Sequence, residues 1–129
     1  MADTLQPLYD EIKNTIENEV GEPGYNFAYR SFEGQGWLNF HYVCSTYEGQ
    51  YPRIVLKQQK EAVHFYVMLW VDGKPILENY TSIFGKSSVG KSCIRIKKLN
   101  DERRNAIVEI IRLAINENKK STLDESGKV

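Results

Sequence analysis

The chain has 129 residues, 17 basic against 17 acidic, with 41% apolar and 26% charged side chains. Such a composition fits one globular domain rather than a disordered chain, and no apolar run approaches the ~18 residues that a membrane-spanning helix needs. The zero net charge hides an asymmetry: residues 1–50 carry eight acids against Lys13 and Arg30, net −6, whereas residues 51–115 are net +6. The two halves either neutralise each other across the fold or present opposite fields to a partner.

The opening MADTLQPLYDEIK is already amphipathic and does not read as a charged-then-apolar leader. A cytoplasmic location follows as the expectation, with Cys44 and Cys93 as free thiols. Leu5, Leu8, Tyr9, Ile12 and Ile16 recur at helical spacing. Thr4 is the candidate cap, Pro7 is tolerated in the first turn, and GEPG at 21–24 ends the helix.

YNFAYRSF (25–32) alternates as a strand, EGQG (33–36) reads as a turn, and WLNFHYVCSTY (37–47) as a second strand closed by EGQYP. RIVLKQ (53–58) and AVHFYVMLWV (62–71) follow as a hairpin joined by QKE. In the second of these, His64, Tyr66, Met68 and Trp70 share one face and Phe65, Val67, Leu69 and Val71 the other. Two apolar faces predict a central strand covered on both sides. If helices cover only one side, the face with Tyr66, Met68 and Trp70 becomes a ligand groove or a self-association surface.

Ile76, Leu77, Tyr80, Ile83 and Phe84 mark a short helix ended by Gly85. SCIRIKKL (92–99) is a strand, and Asn100 or Asp101 caps a long helix with Ile107, Ile110, Ile111 and Ala114 on one face. The expected fold is α+β: an antiparallel or mixed sheet of about five strands packed by an N-terminal helix, a short middle helix and a long C-terminal helix. Residues 1–115 form the domain, and residues 116–129, which lose periodicity, read as a frayed polar tail.

GKSSVGKS (85–92) matches the phosphate-loop pattern at every fixed position. A true phosphate loop follows a strand and opens a helix, so that its amides converge on phosphate. Here a helix precedes and a strand follows, so the match is read as false. No nucleophile–base pair, metal-ligand spacing or acid pair stands out, and a non-catalytic protein is expected. His41, Cys44, His64 and Cys93 do not carry zinc-site spacing.

GKSSVGKSCIRIKKLNDERRNAIVEIIRLA instead resembles the C-terminal signature of the YdhG-like family of unknown function, through Gly85, Lys86, Gly90, Lys91, Ser92, Cys93, Ile94, Lys97, Lys98, Leu99 and Asp101. YEGQYPRIVLKQQKEAVHFYVML is similar to the hairpin of that family, so the resemblance covers about residues 47–115. It implies an α+β fold and no established activity. One branch is frataxin-like and regarded as an intracellular iron chaperone.

Iron handling favours exposed carboxylates. Asp3, Asp10 and Glu17 lie seven apart on the first helix, and Asp10 and Glu17 are the first candidates for a weak iron site. The alternative is a solvated outer face. Lys86, Lys91, Ser92 and Arg95 are the candidates for an anion site in the Gly-Lys loop. A patch divided between two strand faces and a sequence pI of about 6.7 argue against a dedicated nucleic-acid partner.

Overall fold

The structure, a computed structural model, describes residues 5–127, with side chains except at Cys44 and beyond Lys119. Helix α1 spans Gln6–Val20, with Pro7 in its first turn, and buries Ile12 and Ile16. It ends at Gly21, whose φ of 84° is the left-handed conformation glycine adopts without a Cβ penalty. Thr4 and Asp3 lie outside the described residues.

Strands β1 (Tyr25–Tyr29), β2 (Phe32–Cys44), β3 (Tyr47–Gln58), β4 (Val63–Val67) and β7 (Cys93–Ile96) form one sheet in the order β1-β2-β3-β4-β7. Every neighbouring pair is antiparallel. A two-stranded ribbon, β5 (Trp70–Val71) with β6 (Lys74–Pro75), follows β4 and turns at Asp72-Gly73, both at positive φ. A 3₁₀ turn at Ile76–Tyr80 runs into α2 (Thr81–Phe84), and α3 spans Asp101–Gly127. The side chain of Asn100 accepts a hydrogen bond from the Arg103 amide at 2.8 Å, so Asn100 caps α3. No helix among the described residues is long and apolar enough to cross a membrane.

The α+β architecture and its three helices are as the sequence predicts. Three boundaries are not. EGQG at 33–36 is not a turn, because β2 runs through it. A Cβ on Gly34 would lie 2.8 Å from Val55 Cγ1 and 2.9 Å from the Leu56 carbonyl oxygen, so the glycine marks a close approach inside a strand. EGQYP likewise lies inside β3, and the hairpin turn falls at Ser45–Thr46. Nor is 116–129 a loose tail through its length: α3 continues to Gly127, and the Asn118 amide accepts from Arg53 Nε at 3.0 Å and donates to the Asn39 carbonyl at 3.3 Å. Polar contacts to the sheet thus extend the helix beyond its apolar periodicity.

The core lies on one face of the sheet. Trp37, Ile54, Leu56, Val63, Phe65, Val67, Ile94 and Ile96 meet Ile12 and Ile16 of α1, Leu77 and Phe84, and Ile107, Ile110, Ile111 and Ala114 of α3. The expectation that the fourth strand is covered by helices on both sides is therefore corrected. Two ion pairs join the helices across this layer, Glu11 to Arg104 at 2.7 Å and Glu19 to Arg112 at 2.8 Å. They join the acidic first part of the chain to the basic later part.

Candidate functional site on the open sheet face

Alternation places the side chains of Phe27, Tyr51, Val55, Lys57, His64, Tyr66 and Arg95, and the bare positions Gly34 and Gly36, on the face opposite the core. Phe27 and Val55 are buried there, yet neither joins the core cluster. Their cover comes from a continuous network of rings. Tyr29 meets Tyr47 with centroids 4.9 Å apart, Tyr47 meets Tyr51 at 5.3 Å, Tyr51 meets Phe27 at 5.0 Å, Phe27 meets Phe32 at 6.3 Å, and Phe32 meets Tyr66 at 5.0 Å. Tyr42 and Phe40 extend the network from Tyr51. Most of these contacts are edge-to-face, the arrangement aromatic quadrupoles favour.

Glycine makes the network possible. Phe27 lies directly opposite Gly34, Tyr25 opposite Gly36 and Tyr42 opposite Gly49. A ring can lean over a strand position that has no side chain, and at Gly36 an added Cβ would come within 2.8 Å of Pro52 Cβ and 3.4 Å of Tyr25 Cε1.

At the β3–β4–β7 end the network walls a cavity of about 240 Å³ lined by Phe32, Tyr51, Pro52, Arg53, Val55, Tyr66, Met68 and Ser92. Val55, Tyr66 and Cys93 form one cross-strand row under it. Two residues further along the strands, Lys57, His64 and Arg95 form the next row. Tyr66 Oη lies 3.2 Å from His64 Nδ1, and Lys57 Nζ lies 5.2 Å from the centroid of the Phe32 ring. The two rings that wall the cavity thus carry the cationic row on their far side.

Burial, then Arg95, then Lys57 push the His64 imidazole below its ordinary value. Burial, then the neighbouring Cys93, raise Tyr66. Burial also pushes the Cys93 thiol up to about 11, against the opposing pull of Arg95 and of the Tyr66 hydroxyl. Cys93 is therefore a protonated thiol at neutral pH. A larger depression of about 780 Å³ beside Tyr9, Asn26 and Gln58 opens broadly to solvent.

The residues singled out from sequence fall in three places. Tyr66 and Met68 come together in the cavity, but Trp70 does not join them. The strand expected over 62–71 breaks after Val67, because Leu69 turns into the core and Trp70 enters the separate β5–β6 ribbon.

In the Gly-Lys loop the amides of Gly85, Ser88 and Gly90 donate to the carbonyls of Thr81, Gly85 and Cys93. Amides spent on the loop itself do not converge on a phosphate, and the helix-before, strand-after context read from sequence is what the structure has. Lys86 and Lys91 are exposed, the Ser92 carbonyl accepts from the Val67 amide, and Arg95 donates to the Ser87 carbonyl.

On α1, Asp10 accepts from Gln6 at 2.9 Å. Glu17 Oε2 accepts from Lys13 Nζ at 3.0 Å and from the Gly24 amide at 2.9 Å. Seven residues separate the two carboxylates, which is roughly 10 Å along a helix axis. No group of three His, Cys, Asp or Glu side chains that could hold a metal ion occurs among the described residues.

Lys57, His64, Val55, Phe32 and Tyr51 are absent from the sites proposed from sequence. The hairpin read from sequence does not supply them: with QKE as its connection Gln58 would face Ala62 and Lys57 would face Val63, whereas the observed register sets Gln58 opposite Val63, Lys57 opposite His64 and Val55 opposite Tyr66. Searches against protein-family models, curated proteins and solved structures find no match to this chain.

Proposed function

We propose that the protein is a non-catalytic binding module whose working surface is the helix-free aromatic face of its sheet, and that the cavity between Phe32, Tyr51, Val55, Tyr66 and Met68 receives a small apolar or aromatic molecule. The observation that carries this reading is the cavity itself. Its lining is mostly apolar and aromatic, with Arg53 and Ser92 among its few polar members, and it lies on the sheet face away from the core, as in small-molecule sites generally. At about 240 Å³ it suits a ligand of one or two rings.

Iron handling through α1 has less behind it, because Glu17 already holds Lys13 and the Gly24 amide. Anion binding by the Gly-Lys loop alone has less behind it for the same reason, since three loop amides are engaged.

The test is a calorimetric titration with 2-naphthamide, an uncharged two-ring probe. Binding that is lost in Val55→Trp, with the thermal melt of the variant preserved, is the expected result. Undiminished binding to Val55→Trp contradicts the reading. Light scattering on the same samples addresses the competing use of this face, since a stable dimer that the probe does not dissociate assigns the face to self-association.

A further inference from the structure

Lys57, His64 and Arg95 form a row of basic side chains beside the cavity. Lys57 and Arg95 flank His64 as direct cross-strand partners, and partners so placed have Cβ atoms about 5 Å apart. Among the described residues no carboxylate pairs with any of the three, because the ion pairs present lie on α1 and α3. The half-exposed His64 titrates under the influence of both cations, with Tyr66 beside it and the Cys93 thiol behind Tyr66.

The spacing is regular. Val55 and Tyr66, which line the cavity, belong to the row Val55–Tyr66–Cys93, and the next row, Lys57–His64–Arg95, lies two residues, roughly 7 Å, further along the strands. A planar body two rings long covers that distance. Tyr66 and Phe32 both line the cavity and also meet this row, Tyr66 through His64 and Phe32 through Lys57.

We infer that the ligand of this face is a small organic anion: an aromatic or apolar body seated in the cavity, and a carboxylate or comparable anionic group held by Lys57, His64 and Arg95. This rests on the aromatic-face reading and adds the charge and polarity of the molecule to it. Charge complementarity is what selects an anion. The size of the cavity is what selects a small molecule over a second copy of the chain, whose sheet face would bring a second Lys57 and Arg95 against this row.

The experiment compares 2-naphthoate with 2-naphthamide, which are nearly isosteric and differ in charge, on the full chain at low and high salt. The expected result is tighter binding of the carboxylate by about tenfold at low salt, the scale of one charge-assisted hydrogen bond, narrowing at high salt as screening grows. Arg95→Gln and Lys57→Gln each reduce the preference for the carboxylate over the amide, and the double variant abolishes it. On the wild-type chain, 2-naphthoate raises the His64 titration midpoint seen by NMR and 2-naphthamide does not.

Equal affinities for the two probes overturn the anion inference and leave the aromatic-face reading standing. Binding of neither overturns both. Displacement of 2-naphthoate by an oligothymidylate at a lower concentration than by 2-naphthoate itself overturns the small-molecule assignment in favour of a polyanion.

Discussion

His64 on β4 lies directly opposite Arg95 on β7, with Lys57 opposite it on the other side. Burial first, and then these two cations, hold its imidazole below the ordinary value of about 6.5. The folded chain therefore takes up the proton at lower pH than the unfolded chain. Stability then falls as pH drops from the unfolded midpoint to the folded one, because the unfolded state binds the proton first. Proton NMR should give a His64 midpoint below that of a histidine peptide, and Arg95→Gln should raise it. A midpoint at or above the peptide value would remove the cationic row from the account.

Gly34 is a packing position. An alanine there would press on Val55 Cγ1 and the Leu56 carbonyl, and would crowd the Phe27 ring opposite. Gly34→Ala should cost about 1–3 kcal/mol in urea unfolding, the usual scale of overpacking. Gly21, whose added Cβ meets nothing within 4 Å but whose φ is +84°, offers a control. Gly21→Asn, a residue that tolerates the left-handed region, should cost less than Gly34→Ala. The reverse order would mean that the β2 glycines do not set the aromatic face.

Cys93 should be a slow thiol. With its pKa pushed up to about 11, the thiolate fraction at pH 8 is about a hundredfold below that of an ordinary cysteine. Iodoacetamide labelling of a Cys44→Ser variant should be slower than labelling of a peptide thiol by that order, and should accelerate on addition of urea. Peptide-like rates in the folded chain would contradict the burial of the thiol under Tyr66.

Glu17 fastens the end of α1. The Gly24 amide, and then Lys13, hold its carboxyl below the usual range, so its stabilisation is present above the ordinary carboxylate value and lost as pH falls through the lowered one. Glu17→Gln should cost about 1 kcal/mol at pH 7 and close to nothing near pH 2. A cost independent of pH would show that the charge is not what matters there.

Much of the fold was legible because apolar periodicity is a local signal. α1, the α2 segment and the start of α3 follow from spacings such as Ile12 and Ile16, and Ile107, Ile110 and Ile111, all buried. Glycine misled the reading of β2 and β3. EGQ twice resembles a turn, and the reason that Gly34 and Gly36 are strand residues is the proximity of Val55, Pro52 and Tyr25, known only once the strands pair. The α3 extension was hidden similarly, since Asn118 is held by Arg53 and Asn39 from distant parts of the chain. The site was half legible. Tyr66 and Met68 came from alternation on one strand, whereas Lys57, His64 and Arg95 become a row only through the register of three strands.

The central claim is that the open aromatic face, at its β3–β4–β7 end, is where this protein binds. An amide NMR titration with 2-naphthoate tests it most directly. The account predicts the largest shifts at Tyr51, Val55, His64, Tyr66, Met68 and Arg95, with little change along α1. Shifts centred on Asp10 and Glu17, or spread evenly over the chain, would contradict it.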